Sequence, residues 1–213
     1  MDTNIRPLFI SLTGNIGTGK SLISNFLLKN CYDVFSADTI SHNLMKETQV
    51  KTDIKKLFGN EVFTNHDIDR KKIRKIAFDN PNILAQLNQY MHIKILHKLQ
   101  DIMDGYYIKK ANHDVVFFEI PLLFECKLEN SFDLNVLTVS EDAVLLERVS
   151  KRDKCSISEV QAILSHQLSQ EIKISKADIV LYNNHEIEAL QLQLFVLIQS
   201  LKHIKKKTLL KLI

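Results

Sequence analysis

The chain has 213 residues, 45% of them hydrophobic and 25% charged, which is the composition of a globular protein that buries a core. Its formal net charge of +3 is mildly basic, which suits a small anionic ligand and falls short of the strong, patchy charge of dedicated nucleic-acid domains. The three cysteines lie far apart and fit neither a disulfide framework nor a zinc-binding spacing, so we expect a reducing, cytoplasmic location.

The N-terminal part of the sequence predicts a strand, a helix and a second strand. It lacks the long apolar run and small-residue cleavage site of a signal peptide. Residues 8–13, LFISLT, are apolar and β-branched and end at a glycine, which predicts a buried strand. Residues 20–29 carry apolar side chains at helical spacing, and residues 32–37, YDVFSA, predict another strand.

The pattern changes after the second predicted strand. From Asp38 to about Lys110 the sequence is rich in lysine and mostly helical in pattern, with breaks at FGNEVFTNHD and at DNP. Residues 115–121 and 134–140 are then apolar runs of the kind found in parallel strands covered on both faces. Ser156 and Glu159 fit a capping box that opens a helix, and residues 178–183, DIVLYN, predict one more strand.

The last 25 residues, 189–213, are apolar in places and basic near the end. Polar side chains interrupt them well short of the roughly 20 residues needed to span a membrane, namely Gln191, Gln193, Gln199 and Lys202. We interpret the segment as a helix that docks on the sheet, with a helix lying on a membrane surface as the alternative. We interpret its basic KHIKKK stretch as the solvated end of that helix.

Strands separated by helices predict an α/β protein with a doubly wound parallel sheet of about five strands. Residues 1–38 and 113–213 form the predicted core, and residues 39–112 form a helical insertion into it. The chain shows no internal repeat, low-complexity segment or flexible linker, so we expect the insertion to pack against the core.

The stretch TGNIGTGKS, residues 13–21, contains three of the chain's five glycines. It fits the pattern G-x-x-x-x-G-K-[ST] and lies between a predicted strand and a predicted helix, where a phosphate-binding loop belongs. Glycines let successive backbone N–H groups turn inward on a phosphate, and the following helix points its positive end at the same place. We expect Lys20 to reach the β- and γ-phosphates and Ser21 to bind Mg²⁺. The alternative is a flexible glycine turn.

The predicted nucleotide-binding residues of this loop are Gly14, Asn15, Gly17, Thr18, Gly19, Lys20, Ser21 and Leu22. A phosphate-binding loop does not by itself separate kinases from GTPases and motor ATPases. The sequence has no N-K-x-D guanine signature, and motor ATPases are normally larger. A small chain with a helical insertion fits a small-molecule kinase, because such an insertion can bind the acceptor and exclude water.

From Leu8 to about His185 the chain resembles the dephospho-CoA kinase family. The motifs that carry the resemblance occur in the family's order: LTGNIGTGKS, VFSADTISHNL, LFGNEVF, IDRKKIRKIAF, LNQYMHIKI, FEIPLLFE, LLERVSKRDKCSISEVQAILSHQ and ADIVLYNN. The resemblance implies a P-loop NTPase-type fold with a helical lid at about residues 141–176. It also implies transfer of the ATP γ-phosphoryl group to the ribose 3′-hydroxyl of dephospho-CoA, with Mg²⁺, giving coenzyme A and ADP.

The resemblance assigns Asp38, at the end of the second strand, as the base that orients the acceptor hydroxyl. From the residues alone, an Asp before a helix is more often an N-cap. Arg148 and Arg152 share a helix face, and the resemblance implies that they carry positive charge to the phosphates, with Arg152 and Lys20 catalytic. A solvated helix face is the alternative reading of the two arginines.

Glu119 ends an apolar strand and, from that position, would hold the Mg²⁺ shell through water, the alternative being a surface carboxylate. Further site residues follow from the resemblance. Arg70 would meet an acceptor phosphate, and His92 is a second acceptor-binding candidate or a packed polar residue. Pro121 and Leu122 would shape the acceptor wall, and Asn183 would border the adenine.

The chain departs from the family pattern at several positions, including positions in the lid and in the insertion. These positions are Asn15, Ser36, His42, Ile93, Gln170, Lys173 and His185. Lys20, Ser21 and Asp38 keep the family pattern. We expect Asn15 to be tolerated if its φ is negative or if it adopts the left-handed conformation.

Two other functions remain open at this point. One is another P-loop kinase that acts on a nucleoside monophosphate or small metabolite. The other is a nucleotide-sensing binding module that uses the basic tail on nucleic acid. We expect dephospho-CoA as the substrate, no nucleic-acid or membrane partner, and a monomer with weak self-association as the alternative.

Overall fold

The computed structural model describes residues 6–108 and 114–213. The chain divides into two compact units, which we call the sheet unit (Met1–Ser36 and Gly105–Lys211) and the helical unit (Ala37–Asp104 with Leu212–Ile213). The predicted boundary between insertion and core, at residues 112 and 113, lies outside the described residues.

The strands of the described chain are β1 Leu8–Gly14, β2 Asp33–Ser36, β3 Phe63–Thr64, β4 Asp67–Ile68, β5 Val115–Glu119, β6 Leu134–Val139 and β7 Ile179–Tyr182. The helices are α1 Lys20–Lys29, α2 Ala37–Leu44, α3 Thr48–Phe58, α4 Arg70–Asp79, α5 Pro81–Ile108, α6 Asp142–Asp153, α7 Ile157–Leu164, α8 Gln170–Lys176 and α9 Ile187–Ser200. Short 3₁₀ turns cover Glu129–Ser131 and Leu201–His203.

Five strands form one sheet in the order β2-β5-β1-β6-β7, and every neighbouring pair is parallel. This confirms the predicted α/β class and the five-stranded parallel sheet. The three central strands are buried along their whole length, as their apolar runs predicted. Because β1 is the middle strand, the loop that follows it lies between the carboxyl ends of β5 and β6.

The C-terminal helix α9 packs on the sheet, as predicted. Leu190, Leu194 and Leu197 follow one another at helical spacing, are buried, and belong to the same core cluster as Ile10 and Val136 of the sheet. Among the described residues, none of the helices combines the length and the apolar character that a membrane span requires.

The prediction that the basic tail is the end of a helix is wrong. Helix α9 ends at Ser200, the 3₁₀ turn ends at His203, and residues 204–213 form neither helix nor strand. The main chain of the tail instead binds the sheet unit, because the Lys207 amide donates to Asp133 at 2.7 Å. Helical pattern could not reveal this contact, since it joins residues far apart in the sequence.

Asp133, which directly precedes β6, forms a buried ionic network with Arg6, which lies just before β1. Its carboxylate accepts from both terminal nitrogens of Arg6, one of them at 2.8 Å, and from the Phe9 amide at 2.8 Å. The two side chains are 1% and 0% exposed. Burial by itself would lower the pKa of Arg6, but the hydrogen bonds and charge of Asp133 raise this pKa, so the guanidinium stays charged.

The helical unit contains α2 to α4, most of α5 and a small antiparallel hairpin. Val50, Ile54 and Phe58 form a buried stripe along α3. The predicted break at FGNEVFTNHD contains β3 and β4, whose two-residue turn has positive φ at both Asn65 and His66.

The predicted break at DNP separates α4 from α5. Helix α4 ends at Asp79, and α5 begins with Pro81, a residue that suits the first helical position because it lacks an N–H group. The Asn80 side chain caps α5 by accepting from the Ile83 amide at 3.2 Å.

We expect Asp133→Asn to lower the free energy of unfolding by about 3–5 kcal/mol, because it leaves the buried Arg6 charge without its partner. Urea denaturation followed by circular dichroism measures this. The control is Glu147→Gln, which breaks an exposed ion pair with Lys151 and should leave the free energy of unfolding almost unchanged. Equal effects of the two variants would contradict the role given to Asp133.

Candidate active site

The glycine-rich loop joins the end of β1 at Gly14 to the start of α1 at Lys20. Gly19 has a φ of 97°, and a Cβ there would lie 2.2 Å from the Asn183 side-chain nitrogen. Gly14 has a φ of 151°, and a Cβ there would lie 2.5 Å from the Thr138 carbonyl oxygen. The loop therefore needs glycine at both ends for conformation and for space.

Side chains from β6 and from the residue after β7 hold the loop in shape. Thr18 Oγ1 donates to the Asn15 carbonyl at 2.9 Å and lies 3.1 Å from Thr138 Oγ1. The Asn183 amide donates to the Thr18 carbonyl at 2.9 Å. Asn183 is 3% exposed, and the hydrogen bond of its side chain is to the loop. Its predicted place beside adenine stays a prediction.

Lys20, the lysine of the loop motif, binds carbonyl groups of the loop itself. Lys20 Nζ donates to the Gly14 carbonyl at 2.7 Å and to the Asn15 carbonyl at 3.0 Å. Ser21 and Leu22, in the first turn of α1, are exposed. Asn15 does not have a positive φ, so it meets the first of the two conditions under which we expected it to be tolerated.

Glu119 is the last residue of β5, the strand beside β1, and pairs in register with Leu12. Its side chain is buried and accepts from Ser24 Oγ at 2.7 Å. Ser24 lies one helical turn after Ser21 on α1. The described residues contain no group of three or more His, Cys, Asp or Glu side chains that could hold a metal ion by themselves.

Helix α6 packs directly on the loop at Gly17. A Cβ at Gly17 would lie 2.5 Å from Val149 Cγ2 and 3.3 Å from Leu145 Cγ, and Gly17 has a φ of 83°. Leu145 and Val149 form a small buried cluster with Val160 of α7. The loop therefore packs on α6 of the predicted lid region, and α7 packs against the same α6 residues.

The two predicted arginines of α6 have different surroundings. Arg148 is half-buried and donates to the Asn183 carbonyl at 2.7 Å, which places its guanidinium beside the residue that supports the loop. Arg152 is exposed and donates to both carboxylate oxygens of Asp153 at 2.8 Å. Their contacts with phosphate stay predictions.

Pro121 and Leu122 follow β5 by two and three residues. The Pro121 carbonyl accepts from Thr13 Oγ1 at 3.4 Å, and the Leu122 side chain is 42% exposed. Leu122 is therefore accessible to a ligand, and the predicted role of both residues in the acceptor wall stays a prediction.

The other predicted acceptor residues belong to the helical unit. Asp38 is exposed in the first turn of α2, which begins at Ala37 directly after β2, so Asp38 lies inside the helix and not at its N-cap. Arg70 opens α4 and lines a cavity of about 320 Å³ with His42, Lys46 and Asp67. His92 is exposed on α5. Their roles stay predictions.

The segment between α7 and α8 makes contacts with the loop that the sequence pattern did not indicate. The Gln167 side chain accepts from the Ile16 amide of the loop at 3.1 Å, and nothing in the sequence pattern indicated this. Lysine side chains usually lie at the surface, but Lys173 is fully buried. Its Nζ lies 2.8 Å from Glu125 Oε1. The only sequence signal was that Lys173 departs from the family pattern.

Two further departures from that pattern have described surroundings. The Gln170 side chain makes two hydrogen bonds with the main chain of Ser140. Its Oε1 accepts from the Ser140 amide at 3.0 Å, and its Nε2 donates to the Ser140 carbonyl at 2.8 Å. His185 is exposed between β7 and α9.

A parallel sheet with a phosphate-binding loop between its first strand and first helix defines a nucleotide-binding protein of the P-loop kinase class. The fold is similar to that of shikimate kinase from Aquifex aeolicus, with a TM-score of 0.53 at 14% identity over 91% of this chain and 97% of that one. The chain belongs to the dephospho-CoA kinase family, because the family model of that description matches residues 8–189.

Individual relatives agree with this family. The chain is 34% identical to the dephospho-CoA kinase of Fusobacterium nucleatum, over 86% of this chain and 93% of that protein. It is also 34% identical to the dephospho-CoA kinase of Oceanobacillus iheyensis, over 91% of this chain and 97% of that protein. It is similar to the crystal structure of TT1252 from Thermus thermophilus, with a TM-score of 0.77 at 28% identity over 92% and 98% of the two chains.

We expect Gly17→Ala to raise the Kd for ATP about tenfold or more, because the new Cβ meets Val149 and a positive φ is strained for alanine. Calorimetric titration with a non-hydrolysable ATP analogue measures this. Gly105→Ala is the control, because a Cβ there has no neighbour within 4 Å and Gly105 lies inside α5. An unchanged Kd in Gly17→Ala would show that contact between α6 and the loop does not shape the nucleotide site.

Proposed function

We propose that this chain transfers the γ-phosphoryl group of ATP to the ribose 3′-hydroxyl of dephospho-CoA, giving coenzyme A and ADP. The observation that carries the proposal is the glycine-rich loop, in a chain that matches the family over residues 8–189. Phosphoryl transfer depends mainly on holding the reactants in line and stabilising charge on the transferred group, and a cradle of backbone N–H groups does both.

In this proposal the loop binds the β- and γ-phosphates of ATP. The N–H groups after Gly14 and at the start of α1 supply fixed partial positive charge. Lys20 now donates to two loop carbonyls within the same turn, and its ammonium exchanges these contacts for phosphate oxygens when ATP binds. Arg148 and Arg152 add charge from α6, where Arg148 already lies beside the residue that supports the loop.

The residues around the loop also fit Mg²⁺, which usually binds through one or two carboxylates or hydroxyls, substrate phosphates and water. Ser21 offers an exposed hydroxyl, and Glu119 offers a carboxylate held in place by Ser24. When bound, Mg²⁺ neutralises charge on the phosphates. A set of one hydroxyl and one carboxylate is too small to hold the ion without the nucleotide.

We assign acceptor binding to the helical unit and the segment after β5. Asp38 orients the acceptor hydroxyl and accepts its proton as the bond to phosphorus forms. Arg70 and His92 bind the acceptor, and Pro121 and Leu122 form part of its wall. Asn183 borders the adenine of ATP. The exposure of Asp38, Arg70 and His92 supports these assignments, because each side chain is accessible to a ligand.

The substrate test is a coupled assay with ATP and Mg²⁺ that measures ADP release. We expect turnover with dephospho-CoA and at least about a hundredfold lower kcat/KM with AMP or shikimate, because a site built for one acceptor leaves polar groups unpaired with another. A preference for AMP or shikimate would favour another P-loop kinase. ATP binding without phosphorylation of any acceptor would favour a nucleotide-sensing module.

We expect Asp38→Asn to lower kcat by about 10²–10⁴-fold with little change in the Kd for ATP, because the amide keeps the size of the side chain but cannot accept the proton. Steady-state kinetics and calorimetry give the two quantities. Asp101→Asn makes the same chemical change at another exposed residue of the helical unit and should have parent activity. Full kcat in Asp38→Asn would remove Asp38 from the mechanism.

A further inference from the structure

A buried ion pair lies close to the loop in sequence-distant elements of the sheet unit. Lys173, on α8, is fully buried, and its Nζ lies 2.8 Å from Glu125 Oε1, in the segment after β5. Removing a lysine and a carboxylate from water costs several kcal/mol, which their mutual attraction often fails to offset. Stability alone therefore does not explain the pair.

Unmet hydrogen-bonding groups beside the pair make this point stronger. Glu125 Oε2 and Asn15 Oδ1 are buried and have no hydrogen-bond partner among the described residues, and Lys173 Nζ has no partner there beyond the ion pair. Each unmet buried group further destabilises the arrangement.

The pair holds the segment between α7 and α8. Glu125 Oε1, the oxygen that faces Lys173, also accepts from the Leu168 amide at 2.9 Å. A charged acceptor makes a stronger hydrogen bond than a neutral one, and the ion pair fixes the direction of the carboxylate. The main-chain amide of Leu168 is therefore held in place by Glu125, and this contact does not involve the Leu168 side chain.

The anchored segment contacts the loop at two adjacent residues. The Leu168 carbonyl accepts from the Asn15 side-chain nitrogen at 3.2 Å, and the Gln167 side chain accepts from the Ile16 amide at 3.1 Å. Asn15 and Ile16 follow Gly14 directly, so they determine where the loop turns. A continuous series of contacts thus runs from Lys173 through Glu125 and Leu168 to the loop.

We propose that Glu125 is a positioning residue for ATP. Through Leu168 and Gln167 it fixes the first turn of the loop, so that the N–H groups that follow point at the phosphates. Lys173 neutralises the carboxylate, which lets an acid lie in this region without repelling a polyphosphate. The inference rests on the proposed function only in that the loop binds ATP. It assigns to Glu125 the role of holding the loop in the shape that binds ATP.

Two charge-free double variants test the proposal. Glu125→Gln with Lys173→Met removes both charges but keeps an oxygen that accepts from Leu168. Glu125→Leu with Lys173→Met removes the charges and that acceptor. We expect the Kd for ATP to be about tenfold higher in the leucine variant than in the glutamine variant, because only the leucine variant loses the anchor of Leu168. Equal values would overturn the proposal.

A third variant tests the contact at the loop without touching the ion pair. Gln167→Met keeps the length of the side chain and removes the acceptor of the Ile16 amide, and we expect it to raise the Kd for ATP about fivefold. It decides the question if the leucine variant does not fold. A parent Kd in Gln167→Met would overturn the proposal.

The matched control is Lys176→Met, one turn further along α8. Lys176 pairs with Glu129 at 3.1 Å in a more exposed position, and its partner makes no described contact with the loop. We expect parent ATP affinity for this variant, and a loss equal to that of Gln167→Met would overturn the proposal. In all variants the KM for dephospho-CoA should stay within about twofold, because the contacts end at the ATP loop.

The readout separates this inference from the proposed function. Calorimetry measures ATP affinity without any acceptor, so the variants can be ranked even if dephospho-CoA is not phosphorylated. Failure of the acceptor assay with the expected ranking would overturn the substrate only. Turnover of dephospho-CoA with no difference between the two double variants would overturn the positioning role of Glu125 only.

Discussion

The central constraint in this protein is that a loop must present its backbone N–H groups to an anion while it is packed on several sides. A Cβ at Gly14 would clash with Thr138 of β6, one at Gly17 with Val149 of α6, and one at Gly19 with Asn183. A chain with only five glycines has three of them here because no side chain fits at these positions. The central position of β1 in the sheet meets the same requirement, because it places β5 and β6 on either side of the loop.

The charge of the site is local and depends little on the net charge. The protein carries only +3 overall, yet Lys20, Arg148 and the N-terminus of α1 all lie at the carboxyl end of β1 or beside the residues that support its loop. Acidic groups in the same region are held by partners: Glu119 accepts from Ser24, and Glu125 pairs with Lys173. The Glu125–Lys173 pair has no net charge, so this carboxylate lies near an anion site without cancelling its attraction.

Most of the regular structure could be predicted because the local signals and the packing agree. The apolar runs of β1, β5 and β6 are buried on both faces, and α1 spans the residues that its spacing indicated. The capping box of Ser156 and Glu159 is present with both of its hydrogen bonds. The basic tail was predicted wrongly, because its conformation depends on a main-chain contact with Asp133 that helical periodicity does not encode.

The sequence by itself determined the parallel α/β sheet, the phosphate-binding loop and the family, since each of these is written in short contiguous patterns of residue type and spacing. Only the tertiary structure decided that Lys173 is buried opposite Glu125, that Gln167 and Leu168 hold the loop, and that Arg148 lies against the Asn183 carbonyl while Arg152 pairs with its neighbour. The physical reason is that the identity of a polar residue does not show whether its side chain faces water or a buried partner. The partner belongs to a distant segment that only folding brings close.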